Sequence, residues 1–423
     1  MLEKPKLFLN AKEFWWVMIT FTLLIAIRLG FLYHEYRAFV QKPFYYTDVE
    51  VLQQYTKTQN NRTYTVLRVY SRDLGLSFFT RTYHQQNLLD KQLRLKLFPH
   101  EQITFRDYLS TSFINAQINA IRDKAVTFKS TLLNRIAQQH DNPMVTQFYQ
   151  AIFFAYPLPK ALRESISKLG VSHLIALSGF HLAILSGLLF FLIKPFYRYF
   201  QRRYFPYRFD LIDIGLVVLM ILGWYVWFVE APDSLLRSYM MMVLGWLVLI
   251  SGVELLSFSF LMTVVMLLLV LVPEMLFSLA FWFSVLGVFY IFLLLKHIHV
   301  KHNVVMTLII SFGIFVLMLP IIHLFFPITS TAQLYSPLLS LGFTLFYPLS
   351  MLLHTLGVGG LMDVPLLRLL TWDSQTIDIH LPVLYGILYL GLSMISIYSR
   401  WVFYLLLITA VGFMGWMFIG FML

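Results

Sequence analysis

Apolar positions in this chain follow two rhythms. From Phe14 to Tyr33, and again from Val171 almost to the last residue, they run in stretches of about 20 residues, the length a helix needs to cross a hydrocarbon core of roughly 30 Å. The pattern predicts further spans at Leu211–Val229, Leu235–Val253, Ser257–Val272, Leu276–Leu295, Val304–Phe326, Pro337–Leu356, Leu381–Ile397 and Trp401–Met422, after a first one at Val171–Ile193. Between the two apolar regions the period drops to two. Val49–Lys57, Arg62–Tyr70, Leu76–Tyr83 and Gln92–Phe98 read as strands, with turn signals at Asn60-Asn61, Asp73–Gly75 and Asn87–Asp90. Ile103–Tyr108 reads as a short fifth strand and Ser112–His140 as a polar amphipathic helix.

These elements predict a polytopic α-helical membrane protein with a small N-terminal soluble β-barrel of the OB type. The expected divisions are an anchor at 1–41, the barrel at 42–111, a helical connector at 112–170 and a multi-span domain at 171–423. Pro337–Leu356, flanked and broken by prolines, is either a span or a re-entrant segment. No small-residue cleavage site follows Phe14–Tyr33, so it reads as an anchor rather than a removed signal.

Composition agrees. Of 423 residues 59% are hydrophobic and 13% charged, against roughly 25% charged in soluble domains. No cysteine is present, which excludes disulfides, thiolate metal sites and a cysteine nucleophile. The net charge of +11 is concentrated in Lys42–His140, a block suited to polyanions. Lys4, Lys6 and Lys12 ahead of the first span place the N-terminus in the cytoplasm and the basic block outside. The basic loops Lys194–Arg208 and Lys296–His302 are expected on the cytoplasmic side by the same rule.

Strand alternation separates an aliphatic face (Thr65, Leu67, Val69; Leu93, Leu95, Leu97) from a basic and aromatic one. The second face carries Arg62, Tyr64, Arg68 and Tyr70, then Phe79, Arg81 and Tyr83, then Arg94, Lys96 and Phe98. Cations interleaved with rings suit single-stranded nucleic acid, through phosphate attraction and base stacking. A solvated face whose rings pack on loops is the plainer alternative.

One span is chemically unusual. The stretch Gly170–Gly187 holds two histidines, three serines and three glycines where hydrocarbon disfavours polar groups. On an ideal helix, Ser172, Ala176, Gly179, Ala183, Ser186 and Gly187 share one stripe suited to close helix packing. His181 lies opposite, flanked by Ser178 and His173, facing either another helix or a hydrated cavity. Alternatively the helix unwinds at Ser178-Gly179 and frees backbone groups to line a path. Asp233 and Arg237 stand at the outer end of a later span, where Arg237 would meet a phosphate, pair with Asp233 or Glu230, or snorkel.

His173-Leu174, Ala176, Ser178-Gly179 and His181 resemble the His-Leu-x-Ala-x-Ser-Gly-x-His signature of the ComEC competence family, membrane channels that pass one strand of transforming DNA into bacterial cytoplasm. Ala231–Met240 is similar to that family's Pro-x-x-x-x-Arg-Ala segment, with Ser238 in place of Ala, and Leu276–Ser284 to its Leu-Ser-Phe segment. Pro327–Pro348 is similar to a proline-containing stretch that usually ends in Asn-Leu, where this chain has Phe346-Tyr347. Many members continue into a metallo-β-lactamase-like nuclease domain. This chain stops with its last hydrophobic segment, so the expectation is a short form without nuclease activity. His297, His299 and His302 repeat the histidine spacing of that domain's metal motif, but Lys301 stands at its Asp position and the loop has no surrounding domain.

The resemblance implies an inner-membrane channel for single-stranded DNA in natural transformation. His173, Ser178, Gly179 and His181 would line it, Asp233 and Arg237 would stand at its entrance, and the barrel face would receive the strand. No cofactor, metal or catalytic group is expected. No Gly-x-x-x-x-Gly-Lys-Ser/Thr loop is present, so the drive would come from a cytosolic motor, strand capture by single-strand-binding proteins, or the proton gradient. A periplasmic DNA receptor would deliver the substrate. The alternative is a secondary transporter of a small anion, with broken helices forming a midplane site. An intramembrane enzyme based on His173 or His181 lacks a partner motif.

Overall fold

The computed structural model describes residues 7, 8, 10–59, 62–84, 86–89, 91–99, 103–123, 127–252, 257–419 and 421, the side chains of Gln59, Arg62 and Asp233 excepted. The expected Asn60-Asn61 turn and Asp90 lie outside the described residues. The first helix, α1 (Ala11–Gln41), has 31 residues and so runs about 46 Å, longer than a bilayer core. Its last turns enter the N-terminal sheet domain. Phe39 is buried among the strand side chains and stacks on Tyr45 at 5.1 Å, while Tyr36 Oη donates to the Ile103 carbonyl at 2.7 Å. Anchor and sheet are therefore joined by packing as well as by chain.

The sheet contains β1 (Tyr45–Gln59), β2 (Arg62–Ser71), β3 (Leu76–Thr82), β4 (Lys91–Phe98), β5 (Ser112–Phe113) and β6 (Asn115–Asp123), hydrogen-bonded in the order β5-β3-β2-β1-β4-β6. All neighbours are antiparallel except β3 with β5. The two ends of this order are consecutive in sequence. Only Ile114 separates β5 from β6, and its N–H donates to Phe79 O at 2.8 Å. Val49, Leu67, Val69, Phe78, Leu93, Leu95 and Leu97 form the core beneath.

Two expectations fail here. Ile103–Tyr108 is not a strand, because Phe105–Leu109 forms the short helix α2. A reciprocal cap starts it: Thr104 Oγ1 accepts from Asp107 N, and Thr104 N–H donates to Asp107 Oδ2 at 3.0 Å. Nor is Ser112–His140 one amphipathic helix, since its first half supplies β5 and β6. Ile114, Ala116 and Ile118 point inward and Asn115, Gln117 and Asn119 outward, a period of two in which the outward positions are polar amides with weak strand preference. Only Phe128–Ala137 is helical (α3), followed by α4 (Pro143–Phe154) and α5 (Lys160–Lys168).

The apolar region comprises α6 (Ser172–Ile175), α7 (Gly179–Tyr204), α8 (Asp210–Phe228), α9 (Asp233–Ile250), α10 (Phe258–Leu271), α11 (Leu279–His297), α12 (Asn303–Ile322), α13 (Ser336–Thr355), α14 (Asp363–Leu370), α15 (Val383–Ile395) and α16 (Arg400–Ile419). A two-stranded ladder of β7 (Ile328–Ser330) and β8 (Thr376–Asp378) lies beside α13 and α14 in the chain. Among the described residues seven helices are long and apolar enough to cross a membrane: α1, α7, α8, α11, α12, the Thr331–Thr355 segment containing α13, and α16. Ser234–Ile250, Phe258–Leu271 and Val383–Ile395 are apolar but shorter. Pro195, Pro320 and Pro348 sit inside helices rather than ending them. The expected loop Lys194–Arg208 is largely the tail of α7.

Candidate functional site

The expected continuous span Val171–Ile193 is interrupted. Gly170 adopts φ +69°, a left-handed turn that glycine enters without Cβ strain, and its carbonyl accepts from Ser336 Oγ of α13 at 3.0 Å. After the single turn α6, Ala176 is extended (ψ 122°) and α7 starts anew at Gly179. The break frees backbone groups, and neighbours satisfy them. Ser178 caps α7, its Oγ accepting from Phe180 N at 3.3 Å, and Ser234 Oγ of α9 donates to the Leu177 carbonyl. At Gly179 a Cβ would come within 2.8 Å of Ser238 Oγ, so α7 and α9 meet there without room for a side chain. The stripe drawn on an ideal helix is thereby split: Gly179 is a close contact, whereas Gly187 has nothing within 4 Å of its Cβ position.

His181 completes the cap. The Ser178 N–H donates to its Nδ1 at 3.3 Å, which places the neutral ring's proton on Nε2. The ring is fully buried, edge-on to Phe343 (5.2 Å) and Tyr347 (4.8 Å), two α13 rings stacked on each other at 5.5 Å. Among the described residues its Nε2 has no hydrogen-bond partner. In this conformation, then, His181 is enclosed rather than facing an open passage. His173, on α6, is exposed and lies with Nε2 3.2 Å from Ser340 Oγ, again on α13. Three polar groups around the break thus contact one helix, α13.

The expected entrance residues are placed differently. Arg237 is only 6% exposed, and its Nη1 donates to Ser278 Oγ at 3.3 Å. Ser278 in turn caps α11, so Arg237 ties α9 to the start of α11 rather than standing at an open mouth. Glu230 pairs with Lys129 of α3 at 3.3 Å, and both Glu230 and Ala231 adopt left-handed φ (68° and 47°), a tight α8–α9 turn in non-glycine residues. The Asp233 side chain lies outside the described residues.

On the sheet, the two faces separate as the alternation predicts. Thr65, Leu67, Val69, Leu93, Leu95 and Leu97 are buried, while Tyr70, Arg81, Tyr83, Arg94 and Phe98 are exposed. Tyr64, Arg68, Phe79 and Lys96 are half-buried, and the Arg62 side chain is not among those described. Register brings Arg68 beside Phe79. Two features escaped the strand pattern. Lys96 lies over the rings of Phe44 (4.4 Å), Phe98 (5.4 Å) and Tyr46 (5.7 Å), all exposed. Between the basic strands, β1 interposes Asp48 opposite Arg94 and Glu50 opposite Tyr70, the latter bound to Arg72 at 2.7 Å. The face is a cation–aromatic surface split by an acidic strand.

A third cluster had no sequence signal, because its members are more than 200 residues apart. His140 Nδ1 lies 2.9 and 3.0 Å from the Asp363 carboxylate oxygens, and its Nε2 lies 2.9 Å from His354 Nε2. His354 Nδ1 donates to the Ser350 carbonyl, so its Nε2 accepts and His140 Nε2 donates. Gln139 closes the clasp, accepting from Gly359 N at 2.9 Å and donating to His354 O at 3.2 Å. The connector is thereby locked to the end of α13. His297, from the basic loop motif, packs on Phe403 and donates from Nε2 to Ser396 O at 2.8 Å.

Comparison with known proteins bears on the region that contains the break. No curated protein and no solved structure matches this chain. A family model described as Competence protein matches residues 156–422, which include the interrupted helix, the Arg237 segment and α13. That match covers more than half of the chain, which therefore belongs to the Competence protein family.

Proposed function

We propose that this chain is the inner-membrane channel through which single-stranded DNA reaches the cytoplasm. Family membership supplies a role in DNA uptake for transformation, and the apolar helices supply a multi-pass membrane protein. The observation that carries the finer reading is the interrupted helix Ser172–Tyr204 inside the family region. A lipid anchor has no use for a break whose carbonyls and imidazoles are met by α9 and α13. His173, Ser178, Gly179 and His181 are the groups that would line the path. In this reading the structure is a closed state, in which Phe343 and Tyr347 of α13 seal His181 and opening requires α13 to withdraw.

The sheet fits a strand-receiving role. We read it as an OB-type barrel, because its order runs from β5 to β6 and those two strands are one segment bent at Ile114. With Lys4, Lys6 and Lys12 inside, this barrel is periplasmic. Its rings and cations, among them Tyr70, Phe79, Arg81, Tyr83, Arg94 and Lys96, would hold bases and phosphates. We assign no catalytic step to the chain, so a cytosolic motor, strand capture or the proton gradient drives transfer, with a periplasmic receptor upstream.

The test uses cells whose sole copy of the chain is parent or His181→Ala, with labelled DNA followed outside and inside. The expected result is unchanged surface binding, an unchanged amount of membrane-inserted protein, and import reduced at least about tenfold, or 1.4 kcal/mol. Import at the parent rate with normal protein levels would remove His181 from the path.

A further inference from the structure

The hairpin between α7 and α8 exposes more aromatic surface than water tolerates in one place. Phe196, Tyr199, Phe200, Tyr204, Tyr207 and Phe209 are each more than half exposed. Both flanking helices are long and apolar enough to cross a membrane, so their junction lies at a membrane–water boundary. The 26 residues of α7 run about 39 Å against a core of roughly 30 Å, which brings its last turns out among headgroups. Rings at that depth form an interfacial belt.

Within this belt the charges are arranged, not merely present. Lys194, Arg198, Arg202, Arg203 and Arg208 face only Asp210 and Asp213. Asp210 is taken by Arg198 (3.0 Å) and Lys194 (3.7 Å), and Asp213 by Arg208 (2.6 Å) and the Tyr197 hydroxyl. Among the described residues no carboxylate stands within ion-pair distance of Arg202 or Arg203. Helical spacing sets Pro195, Arg198, Tyr199, Arg202 and Arg203 on one face, where they line a cleft of about 450 Å³. Tyr197 and Gln201 turn the other way, toward Asp213 and the Arg208 carbonyl. Free-standing cations at a helix C-terminus are explained by the helix dipole alone. Arg203 lies over the Tyr204 ring at 5.8 Å, which leaves its N–H donors free. Two guanidinium groups without a carboxylate partner, beside a tyrosine on one open cleft at headgroup depth, fit a bound anion better, because arginine grips phosphate through paired N–H donors.

We infer that the Arg198–Arg203 cleft holds the phosphate of an anionic phospholipid headgroup, with the neighbouring rings seated in the acyl boundary. This site is separate from the DNA reading and stands or falls without it. The purified full-length chain is examined by native mass spectrometry after incubation with equal amounts of phosphatidylglycerol and phosphatidylcholine. Parent protein is expected to retain phosphatidylglycerol selectively. The double variant Arg202→Ala/Arg203→Ala is expected to lose about tenfold to thirtyfold in apparent affinity at an unchanged thermal midpoint, since both side chains are exposed. Arg202→Lys/Arg203→Lys, which keeps charge without the paired donors, is expected in between and guards against loss through misfolding. Equal lipid retention by the parent and the alanine variant would overturn the assignment. So would displacement of phosphatidylglycerol by millimolar inorganic phosphate, which would mark a free-phosphate site. Displacement by a single-stranded oligonucleotide would mark a nucleic-acid surface and overturn it too.

Discussion

At Gly179 a hydrogen stands where any other residue places carbon 2.8 Å from Ser238 Oγ and 3.1 Å from Ser238 Cβ. The α7–α9 approach therefore depends on two small residues together. Gly179→Ala is expected to destabilise the protein by about 1–3 kcal/mol through overpacking. Adding Ser238→Gly removes both opposing atoms and should recover most of that loss, a coupling that thermal unfolding of the single and double variants in detergent measures. Additive losses would mean that the two positions do not press on each other. His181 is bound into the same turn from the other side. Its Nδ1 accepts from the Ser178 backbone, so the imidazole helps cap the helix that carries it, while its unpartnered Nε2 faces aromatic edges. A buried polar atom left without a bond costs free energy, and such exceptions concentrate where function needs them.

Among the elements, β1 shapes the face that the proposed function gives to single-stranded DNA. Lys96 is held among Phe44, Tyr46 and Phe98, whereas Asp48 and Glu50 interrupt the basic face. For the full-length protein in nanodiscs, Lys96→Ala should weaken single-stranded oligonucleotide binding and flatten its salt dependence by about one unit of slope. Asp48→Asn should tighten binding, since it removes a negative charge beside Arg94. If neither change moves the anisotropy titration at two salt concentrations, this face is not the contact. The short helix α2 yields a pH prediction. Hydrogen bonds from the Thr104 side chain and backbone hold the Asp107 carboxyl below its ordinary value. Such a group stabilises the fold above the unfolded carboxyl pKa and loses that contribution as pH falls through the lowered folded value. Asp107→Asn should therefore lower the unfolding midpoint at neutral pH, with the gap to the parent closing in acid, as midpoints measured across pH would show. The four long strands were legible because large β-branched and aromatic side chains alternate cleanly in them. In Ser112–Asp123, Ile114, Ile118 and Ile121 are interleaved with Asn, Ala and Gln, which dilute the strand signal, so pairing with β3 and β4 decided it. The break at Ala176–Ser178 was readable as an alternative, since Ser178-Gly179 is a cap as readily as a helix interior. The clasp of His140, His354 and Asp363 was not, because only folding brings those positions together.

For the whole molecule, α13 is the element on which the separate observations converge. Its N-terminal Ser336 donates to the Gly170 carbonyl, its Ser340 meets His173, its Phe343 and Tyr347 close over His181, and its His354 is clasped by Gln139 and His140 from the connector. Within the connector, α3 is tied to α4 by the Gln150 side chain, which donates to the Leu133 carbonyl at 3.1 Å, so α3, α4 and the end of α13 are linked by direct contacts. In the proposed channel, α13 carries the rings that close over His181 and is therefore the part assigned to move. If α13 must withdraw for DNA to pass, fixing it to α6 must stop import without unfolding anything. The absence of cysteine makes the test clean. His173→Cys/Ser340→Cys introduces the only two thiols, at positions whose side chains now touch, and a short bis-methanethiosulfonate reagent bridges them, forming a disulfide with each cysteine and releasing two sulfinates. Import of labelled DNA by cells carrying this variant is expected to fall to background after bridging and to return on reduction. Each single-cysteine variant, given the same reagent, should remain unaffected. Undiminished import with the bridge verified by mass spectrometry would mean that the strand passes without any motion of α13 relative to α6, and the closed-state reading of His181 would have to be abandoned.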